Sequence, residues 1–195
     1  MSTRMQNKKT DSRPSTQSSP QPLTRQISQP LRILGVDPGY GRMGIAVLEK
    51  SLKGKEKLLY SNCIETSSKD DIYCRFKTIG QEIKKVIEKF KPQEMALESL
   101  FIAKNQKTAM RVAEARGIIL YEALKKSLEI YEYTPLEIKS SLTGDGTSDK
   151  TRIIKMIHLL IELPTKISLD DEYDAIAVAL THSARRISAK QNKIC

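Results

Sequence analysis

The stretch that most restricts the fold of this chain is ILGVDPGYGRMGIAVL, at residues 33–48. Residues 33–36 predict a buried strand, and residues 45–48 predict a second strand after a turn rich in glycine and proline. Asp37 stands where the first strand ends. A carboxylate beside a buried strand is costly unless it is paired or binds a metal. The alternative is an aspartate that hydrogen-bonds its own turn, and this stretch alone leaves both explanations open.

The rest of the chain alternates between strand and helix patterns. Three more strands are predicted at residues 57–66, 94–99 and 129–134. Helices are predicted at residues 71–90, 105–128, 135–142, 150–163 and 170–187, and prolines end two of them. Three antiparallel strands followed by alternating helices and strands predict one α/β domain with a mixed five-stranded sheet, flanked by helices.

The charge of the chain favours a polyanionic partner. Lys and Arg number 33 against 23 Asp and Glu, a net charge of +10, which most often indicates nucleic acid. Residues 1–31 are rich in Ser, Gln and Pro and predict a disordered basic arm, although an organelle transit peptide has a similar composition. Residues 32–188 are the predicted folded domain, and residues 189–195 are a second basic tail.

The compartment is predicted from cysteine usage and hydropathy. The three cysteines show no metal-binding spacing, so we expect reduced thiols and no zinc site. No apolar run is long enough to span a bilayer, so we expect no membrane association and a cytoplasmic protein.

Four acidic residues predict a metal site. Asp37 and Glu98 each close an apolar strand, and Asp171 and Asp174 share one face at the start of the last helix. Taken singly, a carboxylate at a strand rim or at a helix N-terminus explains each of them, and we expect Asp170 to be the N-cap of that helix. If the four converge, their mutual repulsion requires a cation, and ligands that are all oxygen select Mg²⁺ or Mn²⁺. Two such ions can activate a water and stabilise the leaving oxygen of a phosphodiester.

Aromatic and basic residues near these acids are candidates for DNA contact. Phe101 stands between a strand end and a helix start, so it is either a core residue or an apolar wedge between bases. Positive side chains follow or precede the predicted strands and could line a phosphate path or form a solvated surface; they are Lys104, Lys107, Arg111, Lys139 and Lys150. His182 lies two turns beyond Asp174, which could place it near the acids, but the sequence assigns it no chemistry.

Five motifs together resemble one known family. ILGVDPGYGRMGIAV, ALESLFIAKN, EARGIIL, GDGTSDK and DDEYDAIAVALTH occur in the order and spacing of the RuvC family of Holliday-junction resolvases, over roughly residues 32–184. The resemblance implies a ribonuclease-H-like fold and a homodimer that makes paired symmetric nicks in four-way DNA junctions, in recombination and repair. It also implies two Mg²⁺ ions per active site, with Mn²⁺ as a substitute, and a branch-migration motor complex of the RuvA and RuvB type as partner in a bacterial cytoplasm.

The resemblance also assigns roles to particular residues. The catalytic and metal-binding acids of the family fall on Asp37, Glu98, Asp171 and Asp174. The aromatic residue that contacts the junction centre falls on Phe101, and two basic residues near the active site fall on Lys139 and Lys150.

Three other functions remain open from the sequence. A related nuclease with another nucleic-acid substrate fits the same motifs. A sugar-kinase-like or actin-like nucleotide-binding protein also places an aspartate and glycines after its first strand, but that class needs a second lobe and a longer chain. A DNA-binding module without catalysis is the third alternative, and the four placed acids argue against it.

Overall fold

The structure is a computed structural model that describes residues 1, 30–51, 55–99, 106–162, 167, 169–186 and 193–194, with only the backbone of residues 106–107. Residues 2–29, most of the predicted basic arm, lie outside the described part. The elements in chain order are β1 (Arg32–Asp37), β2 (Arg42–Glu49), β3 (Glu56–Glu65), α1 (Ile72–Phe90), β4 (Glu94–Glu98), α2 (Gln106–Lys125), β5 (Glu129–Tyr133), α3 (Pro135–Thr143), α4 (Lys150–Leu160), β6 (Ile161–Glu162) and α5 (Asp170–Arg185).

The strands form one mixed sheet in the order β5-β4-β1-β2-β3-β6. Strands β1, β2 and β3 are an antiparallel meander, as predicted, and β4 and β5 continue the sheet in parallel from β1. The expected number of five strands is wrong by one, because β6 pairs in parallel with the start of β3.

The sixth strand comes from the end of a predicted helix. Residues 150–163 keep helical spacing of apolar residues, but α4 ends at Leu160 because Ile161 takes an extended conformation, with φ −126° and ψ 157°. Ile161 is only 2% exposed and pairs with Glu56. Helical periodicity continues through this β-branched residue, so only the neighbouring strand reveals the change of conformation.

Helices cover both faces of the sheet. The helices α1 and α2 pack on one face, where Leu34 and Val36 of β1 point into an apolar cluster. The helices α3, α4 and α5 pack on the other face, where Ile33 of β1 and Ala46 of β2 join a second cluster. Because side chains alternate along a strand, Asp37 lies on the α5 face together with Ile33.

Two glycines let α5 lie close to the sheet. A Cβ atom on Gly44 would lie 1.9 Å from the carbonyl oxygen of Asp171, and one on Gly35 would lie 2.2 Å from that of Ala175. Any larger residue at either position would therefore push the helix away. The close approach places the N-terminus of α5 beside the end of β1.

The start of α5 differs from the prediction. The helices α1, α3 and α4 each have a side chain that caps the first turn, from Asp71, Thr134 and Asp149 respectively. In α5 the N-cap is Leu169, so the prediction that Asp170 caps this helix is wrong. Asp170 is the first helical residue, and its carboxylate lies 3.4 Å from the Nζ atom of Lys150. Local sequence rules do not show this contact with α4.

The far edge of the sheet carries part of the C-terminal tail. The backbone N–H of Ile194 donates to the carbonyl oxygen of Ile130 at 2.8 Å, and Lys193 forms an antiparallel bridge with Tyr131. The Nζ atom of Lys193 also lies 3.3 Å from Glu129. These two tail residues are therefore held against β5.

The structure also describes two of the three cysteines and the hydropathy of the helices. Cys63 and Cys74 are free thiols, the first buried and the second exposed, whereas Cys195 lies outside the described residues. Within the described ranges, every helix is too short or too polar to cross a lipid bilayer.

Candidate active site

Asp37 and Glu98 end two neighbouring parallel strands. Val36 of β1 is in register with Leu97 of β4, so the next residue on each strand is an acid. Strand alternation turns both acids toward α5, because Ile33 and Ala96, an even number of residues earlier on their strands, pack in the cluster on that face. The parallel register thus places two carboxylates at one edge of the sheet.

The first two turns of α5 bring Asp171 and Asp174 to the same edge. The pKa of Asp37 is raised from 3.8 to about 7, mainly by burial and then by the negative charges of Glu98, Asp174 and Asp171, while Lys150 opposes the rise. These interactions place the four acids in electrostatic range of one another.

The pKa values of Glu98 and Asp174 are raised as well. Burial raises the pKa of Glu98 first, with the charge of Asp174 adding to it, while Lys139 and Lys150 partly offset the rise. Burial is also the largest cause of the raised pKa of Asp174, although its hydrogen bond to Lys150 opposes the change. Because ionisation of these carboxylates is unfavourable in the metal-free site, a cation that binds them stabilises the site.

The residues at this edge suit a divalent metal ion. All four side chains offer carboxylate oxygens, the ligands that Mg²⁺ and Mn²⁺ prefer. The Oδ2 atom of Asp171 is buried and lacks a hydrogen-bond partner within the described part of the chain. As the side chains stand, however, the described residues contain no group of three or more His, Cys, Asp or Glu gathered tightly enough to hold an ion. The carboxylates therefore have to move toward one another to share an ion.

Lys150 is the basic residue in direct contact with the acids. Its Nζ atom lies 3.0 Å from Oδ2 of Asp174 and 3.4 Å from Oδ2 of Asp170. Burial of the ammonium group lowers its pKa, but the hydrogen bond and charge of Asp174, with those of Asp170, outweigh this and raise the pKa overall. Lys150 therefore stays charged and neutralises part of the acidic edge.

The loop before Lys150 is held by its own hydrogen bonds. Gly144 ends α3 with φ 75°, a conformation that suits glycine. The Asp145 carboxylate accepts hydrogen bonds from the backbone and hydroxyl of Thr147 at 2.9 Å and 2.7 Å. Asp149 then caps α4 by accepting from the N–H of Arg152 at 2.8 Å. These bonds fix the start of α4 and thereby the position of Lys150.

Sequence reasoning missed Arg42. Its Nε atom lies 3.4 Å from Oδ2 of Asp171, so each acid of the α5 pair faces a cation. Arg42 is the first residue of β2, two residues before Gly44, and the alternation of strand residues was the signal that places it on the α5 face. Cys63, opposite Gly44 on β3, also lies near Asp171. Burial, followed by the charge of Asp171, raises the pKa of the Cys63 thiol to about 11.

The turn between β1 and β2 is fixed by a second arginine that the sequence did not reveal. Arg75 of α1 donates to the Thr66 hydroxyl at 2.9 Å and to the carbonyl oxygen of Tyr40 at 3.2 Å. Its guanidinium carbon also lies 4.6 Å from the centre of the Tyr40 ring, and the Thr66 hydroxyl donates to the Tyr40 carbonyl at 2.6 Å. The turn that follows Asp37 is therefore tied to α1 and β3.

His182 is remote from the acids. It is fully buried, where Nδ1 lies 2.6 Å from the hydroxyl of Tyr133 and Nε2 lies 2.8 Å from Oε2 of Glu94. Glu94 begins β4, whereas Glu98 ends it. His182 thus belongs to a buried network at the opposite end of that strand.

For four of the predicted DNA-facing residues, the described part of the chain shows no contact with the acidic edge. Phe101 and Lys104 lie outside the described residues, and the side chain of Lys107 is likewise not described. Arg111 forms an ion pair with Glu114 at 2.9 Å on α2. A role for these four residues stays a prediction.

The fold and the candidate site together define the structural class of this protein. A mixed sheet with three antiparallel strands, extended in parallel by β4 and β5 at one side and by the short β6 at the other, is the ribonuclease-H-like architecture. A structure of the yeast mitochondrial Holliday junction resolvase Ydc2, 14% identical, superposes with a TM-score of 0.59 over 86% of this chain and 85% of its own, which supports the fold alone.

Sequence comparison then gives the family. The family model described as crossover junction endodeoxyribonuclease RuvC matches residues 33–182. The chain is 43% identical to the RuvC protein of Petrotoga mobilis over 159 residues, covering 81% of this chain and 96% of that protein. This protein belongs to the RuvC family of crossover junction endodeoxyribonucleases.

Two further relatives agree. The RuvC protein of Thermotoga petrophila is 40% identical over 166 residues, 83% of this chain and all of that protein. The structure of Thermus thermophilus RuvC in complex with a Holliday junction substrate is 27% identical and covers 84% of this chain and 98% of its own, with a TM-score of 0.75.

Proposed function

We propose that this protein resolves Holliday junctions in DNA recombination and repair, by paired symmetric nicks that require Mg²⁺. One observation carries the proposal: Asp37, Glu98, Asp171 and Asp174 come from three elements to one edge of the sheet, where burial and then the charges of the other three acids raise the pKa of Asp37 to about 7. A cluster of carboxylates that disfavours its own charge is suited to bind divalent cations.

The four acids would hold two Mg²⁺ ions, with Mn²⁺ as a substitute. When bound, such ions activate a water and stabilise the leaving oxygen of a phosphodiester. Asp37 lies within the electrostatic reach of the other three acids, so all four carboxylates would contribute to holding the ions. Lys150 would place its ammonium group beside the phosphate under attack, and the ordered start of α4 holds it there.

DNA would be held by the residues around this edge. Phe101 would insert at the junction centre, since an apolar wedge can separate stacked bases. The remaining contacts would be electrostatic and therefore sensitive to salt; they are Lys104, Lys107, Arg111 and Lys139.

A homodimer would supply two active sites for two symmetric nicks. The outer face of α2 offers a surface for it, because three large apolar side chains are exposed at heptad-like spacing: Met110 by 70%, Tyr121 by 61% and Leu124 by 46%. Gly117 lies between them, with open space around its position. Cooperation with a branch-migration motor of the RuvA and RuvB type in a bacterial cytoplasm completes the proposal and is supported by family membership.

The decisive experiment compares a synthetic four-way junction with a linear duplex of the same sequences. With Mg²⁺ we expect nicks at symmetric positions in two opposite strands of the junction and none in the duplex, and EDTA should abolish them. Equal cutting of the duplex would indicate a nuclease of different specificity. Sedimentation tests the dimer: Tyr121→Asp should yield monomers, whereas Tyr73→Asp, at an exposed tyrosine of α1, should not.

A further inference from the structure

Arg42 is poised between the acidic edge and solvent. Its Nε atom is 3.4 Å from Oδ2 of Asp171, close enough for an ion pair, and that oxygen has no hydrogen-bond partner within the described residues. The Arg42 side chain is 54% exposed, whereas that of Asp171 is 17% exposed. The guanidinium therefore contacts a buried acid on one side and water on the other.

This ion pair is easily exchanged. Because the Arg42 side chain is half exposed, water screens this pair and weakens it. A divalent cation carries twice the charge and prefers the same oxygen. Once such an ion takes Asp171, the planar fork of Arg42 can accept a different anion, and a phosphate matches its geometry.

The position of Arg42 suits a phosphate of the DNA backbone. It begins β2 at the sheet edge where β1 ends in Asp37, and Glu65 stands opposite it on β3. Glu65 is exposed and can keep the released guanidinium near this edge. If the scissile phosphate of a DNA strand lies at the acids, a neighbouring phosphate of the same strand would lie near Arg42.

We propose that Arg42 is an exchangeable countercharge, which neutralises Asp171 before a divalent ion binds and holds a DNA phosphate afterwards. This inference rests on the proposed function. Without DNA, Arg42 would compete with the metal ion for Asp171. With the metal ion and DNA both present, Arg42 would bind a DNA phosphate.

The first test measures Mg²⁺ binding to the protein without DNA, by calorimetry. Arg42→Gln should bind Mg²⁺ about two- to fivefold more tightly than the wild type, the size expected from losing a partly exposed competing charge. Arg42→Lys keeps the charge and should resemble the wild type. Lys85→Gln is the matched control, because it removes one charge from an ion pair with Glu82 on α1, on the opposite face of the sheet.

The second test measures how junction binding depends on salt. In Ca²⁺, the slope of log affinity against log salt should be about one smaller for Arg42→Gln than for the wild type, because one phosphate contact is lost. In EDTA the two slopes should agree, since Arg42 then pairs with Asp171. The nicked fraction is monitored in each sample, and melting curves verify that every variant is folded.

Three results would overturn the inference. Unchanged Mg²⁺ affinity in Arg42→Gln would show that Arg42 does not compete with the ion. Equal slopes in Ca²⁺ would exclude a phosphate contact, and a difference of the same size in EDTA would show a permanent contact without exchange. Failure of the proposed function looks different, because the wild type itself would then bind neither the ion nor the junction.

Discussion

The ammonium group of Lys150 lies 3.0 Å from the carboxylate of Asp174 and joins the first turn of α4 to the second turn of α5. Arg42 makes the corresponding pair with Asp171 from the sheet. Two cations thus partly neutralise an edge that also holds Asp37 and Glu98. Asp171 and Asp174 can therefore be separated by experiment, because each pairs with a different cation.

Asp174→Asn should abolish cleavage and leave junction binding nearly unchanged. The amide is a poor Mg²⁺ ligand, whereas the attraction of DNA depends on the basic residues. Gel shifts and nicking on the same sample measure both quantities. Nicking near the wild-type rate would show that Asp174 is not a metal ligand.

Lys150→Ala should slow cleavage at saturating Mg²⁺ about 100-fold, the usual effect of losing one group that stabilises charge in a transition state. Lys155→Ala is the control, since Lys155 is exposed on the same helix. Single-turnover nicking rates provide the comparison. If both variants slow equally, Lys150 acts only through the general attraction of DNA.

Asp170→Asn and Asp171→Asn should have opposite effects. Asp170 is exposed and does not cap α5, so the change should keep both stability and cleavage. Asp171 is nearly buried and carries the oxygen without a hydrogen bond, so its amide variant should fold and fail to cut. Asp170→Ala should cost less than about 0.5 kcal/mol, below the value of about 1 kcal/mol for a lost N-cap. A dead Asp170→Asn with an active Asp171→Asn would shift the site by one residue.

Gly44→Ala should destabilise the fold by several kcal/mol and abolish cleavage. The new methyl group would lie 1.9 Å from the carbonyl oxygen of Asp171, so α5 has to move away from β2 with both of its acids. Gly80→Ala is a suitable control, because its methyl group would meet only the side-chain Cγ2 atom of Ile118, at 3.0 Å, and no backbone atom of another element. Urea unfolding measures both variants, and a Gly44→Ala protein as stable as the wild type would contradict the close packing.

The contribution of Asp37 to the stability of the metal-free protein should be lost as pH rises from about 4 to about 7. The pKa of Asp37 is raised from 3.8 to about 7, so the folded state binds this proton more tightly than the unfolded state. The resulting stabilisation is complete below pH 3.8 and is lost as pH rises through 7, at a rate of at most about 1.4 kcal/mol per pH unit.

Asp37→Asn isolates this contribution. In EDTA, the free energy of unfolding of the variant minus that of the wild type should increase between pH 4 and 7. Mg²⁺ should stabilise the wild type more at pH 8 than at pH 5. Parallel pH curves for the two proteins would mean that Asp37 titrates normally.

The order of the central elements was predictable because it depends on local patterns. The strand before Asp37, the apolar run before Glu98 and the amphipathic helix with Phe76 and Ile83 all keep their predicted type, since each segment buries one face. Family resemblance, carried by five motifs, gave the four acids.

Contacts between distant segments were beyond local patterns. Ile161 becomes a strand because β3 is beside it, and Asp170 pairs with Lys150 of α4 at 3.4 Å. His182 follows Asp174 by two turns, yet the length of α5 carries it to the other end of β4, where it meets Glu94.

The sequence by itself determined which residues carry charge at the ends of strands and helices, because hydrophobic periodicity and turn residues are local properties. Only the tertiary structure decided the surroundings of each charge. The pKa of Asp37 depends on burial and on three acids from other elements, and the partner of Asp171 is Arg42, 129 residues earlier in the chain. Electrostatic energy depends on distance and burial in space, and these are set when the helix α5 packs against Gly35 and Gly44 of the sheet.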